Sequence, residues 1–219
     1  GALAGRKAQD AGPLLQRRLH FSQEVGECGP MSLEIYLQDL AQYEATPKHA
    51  DLVQLSGLNE LEMELFQRMW PTIPAERRRV LMDRLVTVAE DNVEMDYISI
   101  FKYCLGDEDA EVRARAVTGL WECDDRNLVT PLMRLLEEDP QEQVRASAAT
   151  VLGKFGALAE DGKLLSRDGE RIKELLLSLL ERGDESLEVR RRVLEAAAVL
   201  NNPRIAELVR QAYNSQEPK

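Results

Sequence analysis

Asp107-Glu108-Asp109-Ala110-Glu111-Val112-Arg113, Asp139-Pro140-Gln141-Glu142-Gln143-Val144-Arg145 and Asp184-Glu185-Ser186-Leu187-Glu188-Val189-Arg190 align without a gap. In each, an aspartate precedes an arginine by six positions and a valine stands just before the arginine. Ala116, Ala148 and Val193 follow three positions after it, and Leu120, Leu152 and Ala197 follow seven after. A fourth, degenerate copy centres on Arg78, with Leu81 and Leu85 at the matching offsets and Thr72 where the aspartate would be. The four arginines recur at intervals of 35, 32 and 45 residues. A unit repeated at such a period cannot bury its apolar face alone, whereas stacked copies bury a continuous core. The long last interval is expected to hold a loop around residues 156–169, since Gly156, Gly162 and Gly169 suit one.

The repeating unit reads as helical. Ile172, Leu175, Leu176, Leu179 and Leu180 form one stripe of period 3.6, and Leu58, Leu61, Leu65 and Phe66 form another. Pro74 and Pro140 stand where a first helical turn tolerates a missing N–H. No segment alternates for long enough to suggest a strand. The fold class is therefore all-α, with helix pairs near 58–70/74–91, 93–106/109–123, 126–138/140–156 and 169–182/186–200. A leading helix is expected near 32–43 and a last one near 203–214, where the chain either caps its array or stops inside a longer one.

In each repeat the aspartate ends one helix and the arginine lies in the first turns of the next. Asp107, Arg113, Asp139, Arg145, Asp184 and Arg190 are thus expected to form a ladder that fixes the stacking register. Exposed pairs of this kind contribute about 0–1 kcal/mol each, so the ladder is expected to specify geometry while buried Leu, Val and Ala supply stability. The three-fold Asp-x5-Arg pattern with valine before the arginine, and the segment 125–139 with Pro131, resemble the HEAT-like repeats of bacterial scaffold proteins over about residues 58–214. The resemblance implies an α–α superhelix of about four helix pairs plus terminal helices. It also implies a scaffold or adaptor that binds another protein, a role this fold shares with unrelated activities.

Three segments follow: a tail over 1–30, a leading helix and linker over 31–57, and the repeat array over 58–219. The tail holds Arg6, Lys7, Arg17 and Arg18 against Asp10, Glu24 and Glu27, lacks helical periodicity and has no hydrophobic region of a secretory signal. It reads as a disordered or non-native stretch with Met31 as the natural start, or as an Arg-containing targeting peptide.

The chain has 219 residues and a formal net charge of −11, so phosphate backbones and anionic lipid are repelled in general. Nucleic acid and membrane are not expected partners, and no apolar run approaches the ~20 residues of a spanning helix. Cys28, Cys104 and Cys123 show no CxxC spacing, which suits a reducing, cytoplasmic compartment. His20 and His49 lack a second ligand at helical spacing, and no phosphate-loop motif occurs. No catalytic residue, metal or cofactor is expected. Two activities found on similar repeats, bilin attachment and DNA-base excision, remain the alternatives. Arg77–Arg79 and Arg190–Arg192 are the basic clusters the second would need, and acids interrupt both faces.

Second helices of such pairs line the inner wall of an array. At 100° per residue the face opposite the core holds Glu111, Ala114 and Thr118 on one central helix, and Gln143, Ala146, Thr150 and Lys154 on the next. Small side chains at mid-face suggest a shallow groove across 111–154. The rival is an ordinary solvated face, since alanine is also the best helix former. Trp121, at the boundary between core and groove, is the candidate anchor, ahead of Trp70.

Overall fold

The computed structural model describes residues 33–42 and 49–214. The expectations about residues 1–30 and Met31 lie outside them. Among the described residues there are helices and no strand. The chain divides into two compact units, Gly1–Pro74 and Ala75–Lys219. That boundary falls inside the expected pair 58–70/74–91.

The first unit contains α1 (Leu33–Gln42), α2 (His49–Leu52) and α3 (Glu60–Met69), with 3-10 turns at Val53–Leu55 and Trp70–Thr72. α3 starts where it does because Asn59 accepts from the Glu62 N–H while the Glu62 carboxylate accepts from the Asn59 N–H. That cap leaves Leu58 before the helix and Leu61 75% exposed, so the expected stripe reduces to Phe66 backed by half-buried Leu65. Trp70 is buried and stacks on Phe66 at 4.9 Å between ring centroids, which gives it a packing role.

In the second unit α4 (Ala75–Asp91), α6 (Ala110–Gly119), α8 (Glu142–Glu160) and α10 (Leu187–Ala197) form a row, each touching the next. α5 (Ile98–Cys104), α7 (Val129–Glu138) and α9 (Ser166–Arg182) pack against it as the first helices of their pairs, and α11 (Pro203–Asn214) follows against α9. Val129, Leu132 and Leu136 of α7 and Ile172, Leu175, Leu176 and Leu179 of α9 are buried, while Leu180 is half-buried. Each fully buried side chain of this kind contributes about 1.5–3 kcal/mol.

Most of the loop expected over 156–169 is helix. α8 runs to Glu160 and α9 starts at Ser166, so the extra residues lengthen helices. Two of the three glycines serve close packing. A Cβ on Gly156 would lie 2.9 Å from Leu200, and one on Gly169 would lie 2.6 Å from the Ala159 methyl. Only Gly162, at φ +71°, makes the turn itself.

The ladder exists, with altered members. Arg113 donates through Nε and Nη2 to both oxygens of Asp139, at 2.7 and 2.9 Å, and through Nη1 to the Asp107 carbonyl of its own turn at 2.8 Å. Arg145 likewise donates to its own Asp139 carbonyl at 2.8 Å, and Arg78 donates to Asp107 at 2.8 Å. The aspartates work in two directions: Oδ1 of Asp107 accepts from the Asp109 N–H and Oδ1 of Asp139 from the Gln141 N–H, holding the turns that start α6 and α8. Arg113 and Arg145 therefore each tie their own turn to the turn of the following repeat, while Arg78 reaches the following turn alone.

Two members fall outside this scheme. Arg145 takes Glu185 at 3.0 Å, while Asp184 is exposed and faces Arg182 at 3.4 Å. Arg190, in the last helix of the row, is exposed and makes no ion pair among the described residues. A further correction concerns burial. The Arg113 and Asp139 side chains are 11% and 4% exposed, so this rung is not a surface pair. Losing one partner of a buried pair strands the other charge at a cost of about 3–5 kcal/mol.

Two flanking pairs lie nearer the surface. Arg79 grips Asp109, the N-cap of α6, and Lys102 reaches Asp125 at 2.6 Å. The hydrogen bond from Arg79 holds the Asp109 carboxyl below the usual carboxylate range, and that from Lys102 does the same for Asp125.

Arg113→Met should lower stability by about 3–5 kcal/mol in urea denaturation, whereas Arg190→Met should stay within about 0.5 kcal/mol. Equal losses would contradict the assignment of rungs. Because the folded Asp109 and Asp125 bind protons more weakly than the unfolded chain, their contribution is complete above the unfolded value of about 3.9 and is lost as pH falls through the folded one. The urea midpoint should drop on acidification below about pH 4, and Asp109→Asn should flatten that drop; an unchanged slope would count against the pair.

Candidate interaction groove

α6 ends at Gly119, where Phe101 occupies the space a side chain would need, its ring 2.6 Å from the position of a Cβ. The chain then turns tightly, with the Trp121 N–H donating to Thr118 and the Cys123 N–H to Leu120. From α8, the Lys154 ammonium donates to the carbonyls of Trp121 and Cys123, at 2.5 and 2.9 Å, and to Asp124 at 2.7 Å. A cation is well placed against carbonyls left over at a helix C-terminus. Trp121 is thereby held on a braced turn with its side chain 44% exposed.

Beside it lies a groove of about 510 Å³ on the inner row. Thr118 and Trp121 form one wall, Gln143, Ala146, Ser147, Thr150 and Val151 of α8 the floor, Glu188 and Arg192 of α10 the far wall, and Glu90 one end. The hydroxyls of Thr118 and Thr150 each donate to the carbonyl four residues earlier, at 3.1 Å, so those donors are spent inside the helices. What the floor offers is largely methyl groups beside an indole. Arg192 is neutralised by Glu188 and Glu195, both at 3.0 Å.

Of the eight residues expected on the partner-binding face, Thr118, Trp121, Gln143, Ala146 and Thr150 line this groove. Three do not. Glu111 lies by Arg79 at 3.7 Å, Ala114 is half-buried toward the start of α6, and Lys154 braces the turn. Ala146 is itself 7% exposed, so it supplies floor more than reach. Ser147, Val151, Glu188, Arg192 and Glu90 were not among the expected residues. Ser147 and Val151 sit one position round from Ala146 and Thr150 on α8. A second depression of about 520 Å³ near Thr130, Pro131 and Arg134 has no exposed aromatic in its lining.

Among the described residues, no group of three or more His, Cys, Asp or Glu is placed to hold a metal ion. Burial pushes the Cys104 thiol well above its ordinary value, with the charge of Asp107 adding to the effect. That thiol stays protonated at neutral pH, and the buried Cys123 lies under the Trp121 turn. No described helix is long and apolar enough to cross a membrane.

Lys154→Met should loosen the 121–124 turn. Its charged hydrogen bonds each stabilise by about 1.5–3 kcal/mol, and acrylamide quenching of Trp121 emission should rise. Quenching equal to the parent protein's would show that the brace is not needed.

No curated protein matches the chain. The family model described as HEAT repeats matches residues 99–168, from α5 through α6, α7 and α8 into the first turn of α9. This is narrower than the resemblance drawn from the arginine spacing, and it contains the Arg113–Asp139 rung, Trp121 and the groove floor. Residues 99–168 thus match the HEAT-repeat model, and the described residues are all-helical, with helix pairs packed as in an α–α solenoid.

Proposed function

We propose that the chain is a non-catalytic scaffold that seats a segment of a partner protein in the groove between α6, α8 and α10. HEAT repeats commonly mediate protein interactions, and the observation that carries the reading here is Trp121. A large aromatic left 44% exposed, on a turn fixed by three bonds from Lys154, is an anchor whose ordering cost is met before binding. The floor of Ala146, Val151 and inward-bonded threonines supports close approach by a partner's side chains. Arg78 and Arg79, and Arg191 and Arg192, are engaged by acids, which favours a protein partner over a phosphate backbone. The buried thiols Cys104 and Cys123 accord with a reducing, cytoplasmic setting.

Selection from a random peptide library displayed on phage tests this reading. Selected peptides should shift the backbone amide resonances of residues lining the groove. Trp121→Ala and Thr150→Arg should each weaken them about tenfold or more while circular dichroism stays unchanged. Peptides that map elsewhere, or that ignore both substitutions, would overturn it.

A further inference from the structure

The charges around the groove do not cancel. Arg79 is held by Asp109, Arg115 by Asp83 at 3.2 Å, Lys154 by Asp124, and Arg191 and Arg192 by Glu188 and Glu195. Arg192, the cation in the groove's lining, and its neighbours Arg79, Arg115, Lys154 and Arg191 are thus already matched by acids of their own chain. Glu90, at the groove's end, is exposed and makes no ion pair among the described residues. Glu122, next to Trp121 in the chain, is likewise exposed and unpaired among them. The groove therefore combines a methyl-lined floor, an open indole and a carboxylate without a counter-charge. An indole face and a carboxylate are both attractive to a guanidinium or ammonium group, and the attraction to the ring grows as water is excluded.

Resting on the protein-binding reading above, we propose that the occupant is a basic amphipathic segment of a partner protein. Its apolar side chains sit on Ala146, Thr150 and Val151, and an arginine or lysine lies between Trp121 and Glu90. An acidic segment meets Glu90 unpaired and finds no free cation in the groove's lining. A neutral one gains the floor but leaves the Glu90 charge uncompensated.

The test uses three synthetic peptides of one length and one apolar pattern, whose polar positions are all Arg, all Gln or all Glu. Binding to the full chain is read by calorimetry and by a tryptophan emission change that Trp121→Phe removes. The Arg peptide should bind at least about tenfold more tightly than the Gln peptide and weaken as salt is raised. Glu90→Lys should remove that preference, while Glu137→Lys, an equal charge change on exposed α7, should leave it intact. Loss of preference in both variants would reveal attraction to the acidic chain as a whole and overturn the assignment. Tighter binding of the Gln or Glu peptide, abolished by Thr150→Arg, would overturn the cationic occupant while leaving the groove as a protein-binding site. If no peptide perturbs Trp121, and library selection also misses the groove, both proposals fall. A second copy of this chain as occupant would appear as concentration-dependent sedimentation that Trp121→Ala abolishes, and would likewise overturn the basic partner.

Discussion

Arg113 touches two turns at once, and the geometry of the inner row follows from that. Its guanidinium grips both oxygens of Asp139 in the next repeat while holding the carbonyls of Asp107 and Glu108 in its own. A planar fork with five donors does this where a lysine could not. Because the turn before α8 is tied to α6, the two helices cannot slide along each other without breaking a buried, bidentate pair. Arg145 repeats the device with Glu185 and the Asp139 carbonyl, and Arg78 reaches Asp107 and Glu108 of the next turn, so that α4, α6, α8 and α10 are linked as one row. Buried leucines and alanines supply most of the stabilisation. The arginines, together with close contacts in that packing, hold one register.

The groove depends on that register. Its wall comes from the end of α6, its floor from the first half of α8 and its far side from the start of α10. A one-turn slip, about 5.4 Å, would carry Lys154 out of reach of the Trp121 and Cys123 carbonyls. Gly153 adds a second constraint, since a Cβ there would stand 2.9 Å from the Ala196 Cα. The backbones of α8 and α10 thus meet at one closely defined place.

The repeat was legible because a rung needs its arginine four residues inside the helix and its carboxylate in the turn, and that spacing recurs in the sequence. The partner of Arg145 was not legible. Asp184 occupies the aligned position, yet Glu185, one residue on and one methylene longer, makes the bond. Spacing alone does not say which of two adjacent acids points inward. Gly156 and Gly169 misled for a related reason: glycine marks both turns and close helix contacts, and sequence does not separate the two. The groove-facing side of α6 and α8 followed from helical geometry, whereas Glu90 joined the site from a helix two places back in the row. Lys154 lay on the correct face but serves the neighbouring turn, a role set by a contact between residues about thirty positions apart.

A double-mutant cycle on Arg113→Met and Asp139→Asn tests the registering role of the rung most directly. If the rung couples adjacent repeats, the two losses should fall short of additivity by about 1–3 kcal/mol, because either substitution alone already breaks the bond. Additive losses would mean that the two side chains act independently, and that something other than this pair sets the stacking of the helices.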